Sequence, residues 1–263
     1  AQKLVEGLEK CGGKIQYKAK AKKIITENGH AVGVELVTGE VYRAKRIVSN
    51  ATRWDTFEKL LPAAEMPASE KKWQQRYQKA PSFLSLHLGV EASVIPAGTT
   101  CHHILLEDWD KMEAPEGTIL VSIPTLLDPS LAPEGYHIVH AFTSSWMEEW
   151  EGLSQQEYED KKEEAGGRII ERLENIFPGL DAGLDYMEVG TARSHRRFLG
   201  REDGTYGPIP RQKLMGLLGM PFNRTSMPGL YCVGDSTFPG QGLNAVAFSG
   251  FACAHRIAVD LGF

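Results

Sequence analysis

The sequence predicts an α/β protein of the mixed, α+β kind, and three observations carry that reading. Short alternating segments joined by two-residue turns open the chain. Four strand-like runs separated by Pro and Gly fill residues 82–146, and a long amphipathic helix follows them. A short apolar strand, a glycine-containing loop and an apolar helix close the chain. The expected division is a first segment over 1–53, a middle domain over 54–226 and a last segment over 227–263.

In chain order, Leu4, Val5 and Leu8 share one face of a helix that Gly12-Gly13 ends. KIQYKAKAKKIITE (14–27) reads as a strand, Asn28-Gly29 as a hairpin turn and AVGVELV as the return strand. Thr38-Gly39 turns the chain into VYRAKRIVSNA, which predicts a three-stranded meander. Helices are expected at 52–60 and, after Pro67, at 69–79. FLSLHLGV, CHHILLE, TILVSIPT and YHIVHAFTS then form an antiparallel sheet. A helix over 154–176 places Ile169, Leu173, Ile176 and Phe177 on one face, with Gly166-Gly167 weakening its middle. LDYMEVG is a further strand, GLYCV (229–233) a buried one. Residues 242–260 form a helix apolar nearly all round, expected to be buried on most sides.

Composition narrows the function classes. With 263 residues, 42% hydrophobic and 24% charged, the chain is an ordinary globular one. A net charge of −5 argues against nucleic acid as a partner, and the five lysines between Lys14 and Lys23 read as a solvated strand face. Four cysteines without a C-x-x-C pair are expected to be reduced core thiols. No apolar run is long enough to span a bilayer.

The chemical candidates are few. His137 and His140, and likewise His102 and His103, are an odd number of residues apart, so on a strand they face opposite ways and make poor metal pairs. There is no G-x-S-x-G or H-E-x-x-H motif. Gly240-Gln241-Gly242-Leu243-Asn244-Ala245 spells G-x-G-x-x-A, but Asp-Ser-Thr-Phe-Pro separates the strand from the glycines, and no second strand with a ribose-binding acid follows. What remains is a helix N-terminus that a flat ligand edge can approach, with Asp235 at a strand end as an acceptor for sugar-type hydroxyls.

GLYCVGD followed by PGQGLNAVAFSG resembles the C-terminal flavin motif of the phytoene desaturase and amine oxidase superfamily. Carried over, the resemblance implies that Asp235, after Gly234, contacts the ribityl chain of FAD. It places Gly240, Gly242, Leu243 and Asn244 near the ring. The segment from Gly12 to Ala51 resembles the family's adenine-contacting stretch, which aligns Ala21 with the adenine position and Ser49, Asn50 and Ala51 with a strand end that meets FAD. SHRRFLGREDGTYGPIPRQKLMGLLGMPFN (194–223) and NATRWDTFEKLLP (50–62) are most similar to the carotenoid isomerases of oxygenic phototrophs. The family's N-terminal Rossmann unit is not among these residues, so the resemblance is to a C-terminal half. On that basis the outer segments are a partial FAD-binding domain, and the middle is a substrate domain of antiparallel sheet and helix.

The implied activity is conversion of poly-cis lycopene to all-trans lycopene, a non-redox change that requires reduced FAD. FLSLHLGV and TILVSIP, with Trp73, Phe142 and Trp146, are the candidate polyene lining. His195, Arg196 and Arg197, on a short helix N-capped by Thr191, are the polar candidates for catalysis. The implied partners are the carotenoid, a membrane surface on the cytoplasmic or plastid side, and the N-terminal half. A related FAD oxidoreductase (carotenoid desaturase or retinol saturase) and a non-catalytic remnant are the rival readings.

Overall fold

The computed structural model describes residues 1–112, 114–211 and 219–263. The chain forms two compact units: unit 1 comprises Ala1–Gln78 and Pro210–Phe263, unit 2 Lys79–Ile209. The first and last sequence segments therefore share a unit, together with residues 54–78 and 210–226. No helix among the described residues is long and apolar enough to cross a membrane.

Unit 1 begins with α1 (Gln2–Lys10), none of whose residues is buried. The meander follows as β1 (Ala21–Glu27), β2 (His30–Leu36) and β3 (Val41–Arg43), antiparallel in that order. Asn28 (φ 50°) and Gly29 (φ 74°) are both left-handed, the requirement of a type I′ hairpin turn. The strand expected from residue 14 starts only at Ala21. Its partner β2 ends at Leu36 and the chain then turns, so beyond the bond from Val37 N–H to Lys20 O the earlier residues have no ladder to join. Lys22 and Lys23 both pair with Glu35 on the solvated face. β4 (Ile47–Ser49) leaves the meander, a π-helical turn covers Asp55–Leu60, and α2 spans Ala68–Arg76. Two short strands, β5 (Tyr77–Lys79) and β11 (Pro208–Pro210), lie where the chain passes between the units.

Unit 2 is a five-stranded antiparallel sheet. Its strands are β6 (Ser82–Glu91), β7 (His102–Leu106), β8 (Thr118–Ser122), β9 (Tyr136–Ser145) and β10 (Leu184–Gly190), in the order β10-β6-β9-β8-β7. One face packs on α3 (Gln155–Glu174), which starts at a capping box between Ser154 and Glu157. Leu84, Leu86, Leu88 and Val90 of β6, Ile119 and Val121 of β8, and Val139 and Ala141 of β9 meet Ile169 and Leu173 of α3 in one core. The period of two along each strand produces that face and leaves Phe83, Ser85, His87, His140 and Phe142 on the other. Gly166 has a packing reason: a Cβ there would lie 3.1 Å from Val189 Cγ2 of β10. α4 (Ala192–Leu199) follows β10 and ends at Gly200 in the left-handed conformation.

The chain returns to unit 1 as β12 (Leu230–Cys232), which pairs in parallel with β4, and α5 (Leu243–Leu261). Ile24, Ile47, Phe57, Met227 and Leu230 make the core there. The expectation that α5 is buried on most sides is overturned. Only Ser249 and Cys253, one stripe at i and i+4, are buried, while Phe251 is 61% and Val259 63% exposed. The thiol expectation also needs correction: Cys232 and Cys253 are buried, but Cys11 is exposed and Cys101 half-buried, all four free.

Candidate functional site

Because β4 and β12 are parallel, their carboxyl ends lie side by side, and the loops that follow them are stitched together. Val233 N–H donates to Ser49 O at 2.9 Å and Arg53 N–H to Ser236 Oγ at 3.0 Å. Gly234 (φ 96°) sits so close to Asn50 that a Cβ would lie 2.5 Å from Asn50 Oδ1. Asp235 follows, only 6% exposed. The base of the loop is fixed from two sides: Gly234 N–H donates to Ser249 Oγ, and Asn223 Nδ2 donates to Cys232 O and Ser249 O. Burial pushes the Cys232 thiol up to about 12, so it packs as an inert small group.

The loop over 233–242 ends at the N-terminus of α5. Gly240 (φ 113°) and Gly242 (φ 100°) both need the conformational freedom of glycine, and nothing lies within 4 Å of a Cβ built on Gly242. Gly242 caps the helix with no side-chain bond, and Leu243 and Asn244 are exposed beside it. The positive end of the helix dipole thus lies at exposed residues, Gly242 to Asn244. This helix start suits a flat polar ring edge, and Asp235 suits a polyol. The residues present fit the flavin and ribityl portion of FAD.

Of the residues singled out from sequence, the fold gathers Asn50, Ala51, Gly234 and Asp235 at the paired strand ends. Gly240, Gly242, Leu243 and Asn244 follow on the loop and helix start. Ala21 lies elsewhere: it opens β1 opposite Leu36, in the meander sheet. The G-x-G-x-x-A glycines stand at the far end of the connection, Gly240 the eighth and Gly242 the tenth of residues 233–242, rather than at a strand's end.

In unit 2, a cleft of about 200 Å³ on the open sheet face is lined by Ser85, His87, Glu188, His195, Phe198 and Tyr206. Thr191 is the N-cap of α4, and its N–H donates to Ser194 Oγ at 3.1 Å. One turn on, His195 points inward, its Nδ1 2.8 Å from Tyr206 Oη and its ring edge-on to Phe83. Burial, reinforced by His87 and Arg201, lowers its pKa, so the imidazole is neutral at neutral pH. Arg196 and Arg197 do not join it. Arg196 binds Glu151 Oε1 and Glu202 O, and Arg197 lies over Phe198. His87 and His140 are cross-strand partners with rings 4.8 Å apart. Sequence reasoning set His140 aside with His137 and did not single out His87, although their even spacing from Phe83 and Phe142 was the available signal for a shared face. The odd-spacing argument separates His137 correctly, which bonds Thr125 instead. Phe142 packs on Phe83, whereas Trp73 belongs to unit 1, stacked with Tyr77 and beside Trp54. The stretch 194–223 that carries the resemblance runs through 212–218, outside the described residues.

Comparison with known proteins fits this geometry. The chain is 59% identical over its whole length to the chloroplastic prolycopene isomerase of Arabidopsis thaliana, and it spans 44% of that relative's length. It is 27% identical to a 4,4'-diapolycopene oxygenase of Methylomonas, covering 99% of this chain and 53% of that protein. A solved oxidoreductase from Methanosarcina mazei shares the fold with a TM-score of 0.62 at 23% identity, over 96% of this chain and 52% of that one. Residues 1–258 match the family of flavin containing amine oxidoreductases, and the chain belongs to that family.

Proposed function

We propose that this chain supplies the flavin-facing loop and the carotenoid-binding sheet of an FAD-dependent carotenoid cis–trans isomerase acting on poly-cis lycopene. The observation that carries the proposal is the 59% identity across the whole chain to a prolycopene isomerase, together with a strand-end and helix geometry that fits a flavin. When bound, reduced FAD supplies the electron density that transiently lowers the double-bond order of a conjugated C=C, so that it can rotate.

The residues of the chain do the rest. Asp235 accepts hydrogen bonds from the ribityl hydroxyls, and the first-turn N–H groups of α5 donate to the pyrimidine edge. Gly240 and Gly242 keep side chains out of the ring's approach. In unit 2, Phe83, Phe142, His87 and His140 offer an aromatic face for a flat polyene. His195, held neutral with Nδ1 on Tyr206, adds polar definition without placing a charge against an apolar substrate. Ala21 is the proposed adenine contact through its main chain. The carotenoid dissolves in lipid, so the protein works at a membrane surface, on the plastid side by analogy with its chloroplastic relatives, and nucleic acid has no part. The remainder of the cofactor is held by an N-terminal half like that of the longer relatives.

Two measurements test the proposal. Flavin absorbance of the purified chain titrated with FAD should show no uptake in the micromolar range, whereas a form that includes the N-terminal half should bind. With reduced flavin, that longer form should convert poly-cis lycopene to an isomer of unchanged composition and leave phytoene alone. A product with a longer chromophore would favour the second reading, a related FAD oxidoreductase such as a carotenoid desaturase. No turnover on any carotenoid would leave the non-catalytic remnant.

A further inference from the structure

Arg53 joins three pieces of unit 1. It stands at the end of the turn after β4, and its side chain is 1% exposed. Its guanidinium forks onto Glu70 of α2, with Nε 3.0 Å from Oε2 and Nη2 bonded to Oε1, and Glu70 is buried as well. It lies over the rings of Phe57 at 5.4 Å and Trp73 at 5.8 Å. Its main-chain N–H donates to Ser236 Oγ, and Ser236 is wholly buried. Ser236 directly follows Asp235.

A buried ion pair is a costly way to fill space, because both charges leave water, and hydrophobic residues of the same volume often serve stability as well. What the fork adds is geometry: a planar guanidinium held by two parallel bonds fixes its own backbone in one orientation. Here that backbone is the one that grips Ser236.

We propose that Arg53, clamped by Glu70, is a positioning residue for the cofactor: it seats the Asp235–Thr237 loop, and with it the Asp235 carboxylate. The proposal rests on the reading that Asp235 faces a flavin. Arg53 itself touches no ligand; it acts through Ser236.

The test uses the complete polypeptide that contains these residues, titrated with FAD and followed by flavin absorbance and tryptophan fluorescence. Amide hydrogen exchange over 234–240 is measured on the same samples without FAD. The paired variant Arg53→Met with Glu70→Leu replaces the ion pair by apolar groups. It should melt within a few degrees of the parent, yet bind FAD about tenfold more weakly and exchange faster at 234–240. Ser236→Ala should give the same losses, and combining it with the paired variant should add nothing further. Arg53→Lys keeps the charge without the fork and should bind FAD more weakly than the parent. Parent-like FAD affinity and exchange in the paired variant would overturn the proposal. If that variant does not fold, parent-like behaviour of Ser236→Ala would overturn it instead. A parent that takes up no FAD would defeat the flavin reading, while the exchange measurement would still decide whether Arg53 seats the loop.

Discussion

The sheet of unit 2 and the last helix of unit 1 solve the same problem with opposite results. In unit 2, period-two apolar residues on β6, β8 and β9 meet α3, and the side chains involved are almost fully buried. In unit 1, α5 is rich in apolar residues, but among the described residues its buried stripe is only Ser249 and Cys253. α1 repeats the pattern, with Leu4 81% exposed. β4 and β12 form a parallel pair of two strands, a type of sheet usually covered on both faces. The lesson is that an apolar residue stabilises a fold only where another element of the same chain receives it. Unit 2 contains both halves of its core.

The comparison can be broken most forcefully in the core of unit 2. Ile169→Ala removes a fully buried side chain between α3 and the sheet, and should cost about 2–5 kcal/mol in denaturant unfolding. A loss under about 1 kcal/mol would mean that this core is looser than the burial indicates.

The glycine pair in α3 sharpens the contrast on a smaller scale. A Cβ at Gly167 meets nothing within 4 Å, so Gly167→Ala should raise stability by about 1 kcal/mol. At Gly166 the same methyl meets Val189 Cγ2 at 3.1 Å, and the helix gain should be offset. Thermal melts of the two single variants should therefore separate, with Gly167→Ala the higher.

Protonation acts on the open face of the sheet. Burial, with the His87 charge adding to it, lowers the pKa of His140, and His195 is lowered likewise. The unfolded chain then binds protons below pH about 6.5 that the folded chain refuses, so these groups make stability fall as pH drops through that value. His140→Phe should flatten this part of the profile; an unchanged slope between pH 7 and 5 would exclude His140 as a source.

The smallest effect is expected on α5. Phe251→Ser, at a position 61% exposed, should leave unfolding within about 0.5 kcal/mol of the parent. Sedimentation should show less self-association, because an exposed apolar patch has been reduced. A large loss of stability would mean that the helix is covered in solution.

Much of this was legible from particular residues. Asn28-Gly29 announced its hairpin because only left-handed residues make that turn. The helical spacing of Ile169, Leu173 and Phe177 announced α3. The strand alternation in FLSLHLGV and YHIVHAFTS announced a sheet with one buried face. The Lys-rich stretch 14–20 misled because alternation without a partner strand is not a ladder. Arg196 and Arg197 looked like His195 in sequence, but a helix turns successive residues by about 100°, and only His195 faces the cleft. His87 and His140 are far apart in the chain and meet only through the β6–β9 register.

The sequence alone determined most element types, the Asn28-Gly29 turn and the family, and it singled out the loop with Asp235 for the proposed flavin role, because each rests on residues close together in the chain. Tertiary structure decided the pairing of β4 with β12, the burial of Arg53 on Glu70 and the outward face of α5. Those depend on which distant residues meet, and local spacing carries no information about that.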